Sequence, residues 1–149
     1  MIYPEDWDGY SQVRSALSEH RLAAGERWYT DLPFLRAIED DWVDVLEADP
    51  LGVGGVTPCR RIAAAASAAG YDLALHCGAN DSYGQHLSAA LTGNLWAEMY
   101  ISCARDSSLM NSYRATPGMA LPVNGMLQPN DAPGVGIELS LNDIDRATS

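Results

Sequence analysis

Four short apolar segments recur along the chain, and a helical pattern separates each from the next at intervals of 20 to 27 residues. This rhythm constrains the fold more than any other feature. Strands joined by connections long enough to hold a helix pair in parallel, because the chain must return to the same end of the sheet before the next strand starts. The segments run from Arg21 to Glu26, Trp42 to Asp49, Tyr71 to His76 and Leu95 to Ile101. Helical spacing is expected from Trp7 to His20, with Trp7, Tyr10, Val13, Ala16 and Leu17 on one face. Thr30 or Asp31 can cap a second helix, with Pro33 in its first turn and Phe34, Leu35 and Ile38 inward. Thr57-Pro58 opens an alanine-rich helix from Cys59 to Ala69, which Gly70 stops, and a further helix runs from about Gly84 to Leu91. An α/β fold follows, with about four parallel strands and their helices over residues 1–105, an alternation compatible with part of a (β/α) TIM-like barrel. Residues 106–149 read as an irregular tail packed on the barrel or a capping region. Within the tail, Asn124-Gly125 signals a hairpin, residues 130–136 a turn-rich loop, and Ile137 to Leu141 a last short strand.

Composition narrows the partners. The formal charge is −11, and all nine basic residues are arginine. Such a surface repels nucleic-acid phosphates and anionic membranes, so neither is expected as a partner. No apolar run approaches the roughly 18 to 20 residues of a membrane span, and the start Met1-Ile2-Tyr3-Pro4-Glu5-Asp6 lacks the pattern of a signal peptide. A cytoplasmic location is the expectation. Cys59, Cys77 and Cys103 include no Cys-x-x-Cys pair, which argues against a disulfide framework or a cysteine-based zinc site and for reduced, mostly buried thiols.

Glu26, Asp49, His76 and Glu98 stand at or near the C-terminal ends of the four predicted strands, spaced by 23, 27 and 22 residues. In a parallel barrel those ends share one rim, where active sites assemble. Singly, an acid at a strand end is often a turn or cap residue, and a lone histidine is often structural; the recurrence on consecutive strands favours chemistry. The surrounding motifs are Ala24-Gly25-Glu26, Val43-Asp44-Val45-Leu46-Glu47-Ala48-Asp49, Val53-Gly54-Gly55-Val56-Thr57, Tyr83-Gly84-Gln85-His86-Leu87 and Trp96-Ala97-Glu98. The tail adds Pro122-Val123-Asn124-Gly125 and Ala132-Pro133-Gly134-Val135-Gly136-Ile137-Glu138. From about Pro4 to Leu139 the chain resembles the C-terminal barrel portion of the enolase superfamily, in its mandelate racemase-like group. Within that group, Gly25 to Thr30 and His76 to His86 look most like rhamnonate-type acid-sugar dehydratases.

The resemblance implies a Mg²⁺-dependent hydro-lyase that removes the proton α to the carboxylate of a sugar acid and expels the β-hydroxyl as water. It implies Glu26 as a metal ligand, which suits a hard cation. It implies His76 as general base and Asp49 as its partner, with Glu98 as a buried acid on the substrate's carboxylate side. Asn80, Tyr83 and His86 are candidates for contact with sugar hydroxyls, with loop and helix-start structure as the alternative. The family uses three carboxylate ligands on adjacent strands, and only the last is matched here. The expectation is therefore a C-terminal half barrel, inactive alone, that needs an N-terminal half or associates with itself through its open strand edges. The alternatives are a racemase or epimerase of the same superfamily, although this lysine-free chain cannot supply a second lysine base, and a non-catalytic truncated remnant or interaction module. A nucleotide site at Gly52 to Thr57 is disfavoured, because Thr57 replaces the last glycine of the dinucleotide fingerprint and His76, not an acid, ends the next strand.

Overall fold

The computed structural model of the chain describes residues 2–17, 19–101, 108–137, 140 and 142. All four expected strands form, each shorter than its apolar segment: β1 (Ala23–Ala24), β2 (Val45–Leu46), β3 (Asp72–Leu75) and β4 (Asn94–Ala97). They make one open parallel sheet in sequence order. Helices α1 (Trp7–Ala16), α2 (Leu32–Glu39), α3 (Val56–Ala69), α4 (Ser82–Ala90) and α5 (Ser108–Ala115) complete the described elements. The strand–helix alternation is that of a (β/α) barrel segment, with β1 and β4 as the outer strands.

Local chemistry sets the helix ends. Gly55, at φ 102°, is the N-cap of α3, so the helix starts at Val56, ahead of the expected Thr57-Pro58 opening. Gly70 ends α3 in the left-handed region at φ 78°, where a Cβ would be strained. The Asp81 carboxylate caps α4 by accepting from the Gly84 N–H. The inward stripe of α2 is Phe34 and Ala37, both fully buried, whereas Leu35 is exposed. Eight residues give this helix little more than two turns, and the side of the cylinder facing the sheet carries positions 34 and 37.

An aromatic cluster seats the first helix and the turn after β1. Trp7 stacks on Trp42 with centroids 4.8 Å apart, and Trp28 meets Phe34 edge-on at 5.1 Å and Tyr10 at 5.3 Å. Burying side chains of this size contributes about 1.5–3 kcal/mol each. Trp28 follows Glu26 by two residues and donates its backbone N–H to Gly25 O at 2.9 Å, so the cluster fixes the turn that carries Glu26.

Pairing between β3 and β4 slips by one residue: Leu73 faces Asn94, but Ala74 faces Trp96 and Leu75 faces Ala97. The tail is tied to α4. The buried Gln85 amide donates to Ala79 O and Ala120 O, both at 2.9 Å, and accepts from Ala120 N. Asn124 and Gly125, at φ 52° and 77°, form the expected tight turn. It closes a single antiparallel bridge, Val123 to Met126. Of the expected last strand, Ile137 and Ser140 are not in strand conformation, and Glu138, Leu139 and Leu141 lie outside the described residues, as does Cys103. Cys59 and Cys77 are free thiols, the first buried and the second half-buried. Among the described residues no helix is long and apolar enough to cross a membrane.

Candidate active site

Parallel register brings the strand ends level. Counting on from the paired residues, Asp49, His76 and Glu98 share one level, and Glu26 stands beside Ala48 one step lower. The slip between β3 and β4 sets Glu98, and not Ala97, opposite His76. Backbone bonds extend the alignment past the strands: His76 N donates to Ala48 O at 3.0 Å, and Ala79 N to Glu98 O at 2.8 Å.

The His76 ring stands between two carboxylates. Its Nδ1 is 3.1 Å from Glu98 Oε2 and 3.5 Å from Glu26 Oε2. The ring is about a quarter exposed and both acids are near two-fifths, so the cluster is open to solvent. Glu98 is thus half-exposed where burial was expected, and it accepts the Cys77 backbone N–H at 2.8 Å. The second ring nitrogen, Nε2, is 3.5 Å from Cys77 Sγ. Glu26 is also paired with Arg27, at 3.3 Å.

Asp49 departs from its expected place. It is level with His76, but its carboxylate turns back on its own loop and accepts from Leu51 N at 2.8 Å and Gly52 N at 3.1 Å. An aspartate followed by a tight glycine turn satisfies these otherwise unpaired N–H groups locally, and that competes with reaching across to the next strand. The expected Asp49–His76 couple is therefore replaced by a Glu98–His76 one.

The three loop candidates are engaged elsewhere. Asn80 donates to Tyr100 O, accepts from Tyr100 N, both at 2.9 Å, and bonds the Tyr113 hydroxyl. His86 pairs through Nδ1 with Ser82 O and through Nε2 with Asn130 O. Tyr83 packs against the core near Gly55. Their contacts are those of loop and helix-start structure.

Glu47, which had no expected role, belongs to the rim. Burial, then the charges of Glu98 and Glu26, raise its carboxyl above the ordinary carboxylate range, while His76 opposes the shift. Three carboxyl groups therefore crowd one histidine, and a cleft of about 250 Å³ beside Glu26 and Glu47 is bordered by Tyr3, Pro4 and Tyr10. A charged residue ending the apolar run Val45-Leu46 was the available signal. Oxygen donors with excess negative charge fit a hard divalent cation.

Consecutive parallel strands that deliver carboxylates and a histidine to one edge define a segment of a (β/α) barrel. The chain belongs to the enolase C-terminal domain-like family, whose model matches residues 1–144. It is 31% identical over 154 aligned residues to a D-galactonate dehydratase of Ralstonia pickettii (strain 12J), covering 98% of this chain and 38% of that protein. It is 35% identical over 75 residues to a D-gluconate dehydratase of Thermoproteus tenax, covering 50% of this chain and 15% of that one. The crystal structure of L-talarate dehydratase from Polaromonas sp. JS666, complexed with Mg and L-glucarate, matches with a TM-score of 0.74 at 25% identity. The match covers 97% of this chain and 37% of that structure. The chain spans under two-fifths of the length of these relatives. The expected family and barrel fold are both met.

Proposed function

We propose that the chain supplies the base-bearing part of a Mg²⁺-dependent acid-sugar dehydratase. The observation that carries this reading is the His76 ring held by Glu98 at the end of β3, with Glu26 beside it. Donation of the Nδ1 proton to Glu98 fixes the tautomer and leaves Nε2 to take the α-proton of a substrate. The carboxylates beside the ring then stabilise the imidazolium that forms, as an aspartate does in a hydrolytic triad. Asp49, level with His76, holds its bonds to Leu51 and Gly52 through one carboxylate oxygen, Oδ1. After the α-proton leaves, the same imidazolium is positioned to protonate the departing β-hydroxyl.

Glu26, with Glu47 at its side, would hold Mg²⁺, which when bound supplies positive charge next to the substrate's carboxylate. Two carboxylates are few for a hard cation that gives up its water reluctantly. We infer that the chain acts within a completed barrel, with further ligand strands on the open side of β1. The substrate class is a sugar acid carrying a hydroxyl on the carbon next to the one deprotonated.

The test is reconstitution. The chain, alone and combined with the preceding half barrel of a relative, is incubated with a panel of aldonic and aldaric acids and Mg²⁺, and α-keto acid product is read by its semicarbazone absorbance. Product is expected only from the combination, and His76→Asn should lower turnover by at least about 100-fold, as for loss of a general base. Equal turnover in His76→Asn would overturn the assignment of the base. No product from any correctly assembled barrel would favour a non-catalytic module.

A further inference from the structure

Cys77 has no part in the proposed reaction, yet its thiol sits against the ring of the proposed base. Neighbouring residues of an extended strand point to opposite faces. Here the chain leaves β3 and Cys77 takes a left-handed backbone at φ 49°, rare for a non-glycine residue. The reversal is held by Gly78 N to Leu75 O at 2.9 Å, Asn80 N to Cys77 O at 2.8 Å, and Cys77 N to Glu98 Oε2 at 2.8 Å. Its effect is to turn two consecutive side chains, an imidazole and a thiol, to the same side. One donor atom from each of His76, Cys77 and Glu98 lies within 4.8 Å of the others.

We propose that His76, Cys77 and Glu98 form a binding site for a thiophilic divalent cation of the zinc class. The donor set is the first argument. Nitrogen and sulfur suit zinc, cadmium and cobalt, whereas magnesium takes oxygen ligands and leaves thiolates alone. Geometry is the second. Zinc bonds of about 2.0 Å to nitrogen and 2.3 Å to sulfur, at a tetrahedral angle, separate the two donors by about 3.5 Å. His76 Nε2 and Cys77 Sγ are 3.5 Å apart. Glu98 completes the set with a carboxylate oxygen that already lies within 4.8 Å of a donor atom of each of the other two ligands, and water takes the fourth position. The charges of Glu26 and Glu47 favour any cation there. No cysteine-spacing rule reveals such a site, because its ligands come from adjacent positions on one strand end and a third on the next.

The binding claim stands apart from the proposed reaction. One consequence rests on that reading: an ion on Nε2 would occupy the atom assigned to proton abstraction, so a zinc-class ion would inhibit where Mg²⁺ activates.

The reduced, metal-free 149-residue chain is titrated with Co²⁺. Expected are an ultraviolet thiolate-to-cobalt charge-transfer band and visible bands of tetrahedral cobalt, saturating at one equivalent. Zn²⁺ should displace the cobalt, and a large excess of Mg²⁺ should not. Cys77→Ala should abolish the charge-transfer band, while Cys59→Ala and Cys103→Ala keep it. Glu98→Gln retains the side chain's shape and should weaken cobalt binding by at least about tenfold, the scale seen when groups supporting a metal site are removed. Loss of the band in Cys103→Ala, its survival in Cys77→Ala, or unchanged affinity in Glu98→Gln would each overturn the assignment. Turnover enters none of these readouts, so they can fail while the dehydratase reading stands.

Discussion

Replacing Gly25 by alanine should cost this chain about 2–6 kcal/mol of stability, from two separable causes. Gly25 adopts φ 131°, a backbone that L side chains rarely take, and such strain is worth roughly 1–3 kcal/mol. A Cβ there would also come within 2.7 Å of Phe34 Cε1 and 3.2 Å of the Glu47 backbone. Phe34 is fully buried and braced by Trp28, so it cannot retreat, and forced overpacking adds roughly 1–3 kcal/mol. Urea unfolding followed by tryptophan fluorescence measures the sum, since Trp28 is buried beside Phe34. The two causes part in a double-mutant cycle. Phe34→Leu removes the ring carbon in the way, so Gly25→Ala should cost less in that background by about 1 kcal/mol or more, leaving the backbone strain and the close approach to the Glu47 backbone. A Gly25→Ala midpoint within about 0.5 kcal/mol of the parent, or strict additivity in the cycle, would refute the packing account.

Three further outcomes follow from the same geometry. Glu47 is held above its ordinary value by burial and by Glu98 and Glu26. The folded chain therefore holds this proton more tightly than the unfolded chain does, and the stability it contributes is full below the ordinary carboxylate range and lost as pH rises through the raised value. Glu47→Gln should accordingly raise the urea midpoint at pH 7 and lose that advantage in acid; lower stability at pH 7 would contradict the placement. In a Cys103→Ala background, disulfide-exchange titration should count one thiol in the native chain, Cys77, and two in urea, because burial pushes the Cys59 thiol up to about 11. Two fast thiols in the native chain would contradict it. Gln85→Leu strips partners from the Ala79 and Ala120 carbonyls and should cost about 1–3 kcal/mol for each group left buried and unpaired. Limited proteolysis should then cut within residues 116–137 faster than in the parent; an unchanged cleavage rate would show that Gln85 does not anchor the tail.

Much of the fold could be read from the chain because parallel strands are buried on both faces and announce themselves as apolar runs. Tyr71 to Leu75 and the alanine helix ending at Gly70 are of this kind. Strand length was less legible: Trp42 and Val43 are buried like Val45 and Leu46, yet only the latter two are paired, and periodicity does not separate burial from pairing. The rim positions of Glu26, His76 and Glu98 follow from strand ends and were accessible to counting. What Asp49 and Cys77 do was not. Asp49 had two sets of donors within reach, its own loop and the histidine, and local bonds won. Cys77 faces the imidazole only because of a left-handed residue that sequence does not mark.

The slip between β3 and β4 bears on how this edge tolerates change over evolutionary time. Substitutions between Asn94 and Trp96 alter packing by degrees and leave every later position where it was. Deleting the one extra residue there would close the pairing into a regular ladder that still sets Glu98 across from the imidazole, whereas pairing the full count without the slip would put Ala97 there and send the glutamate to the reverse side. At this strand the slip and the residue count go together, so lineages that keep the chemistry should either retain both or lose both.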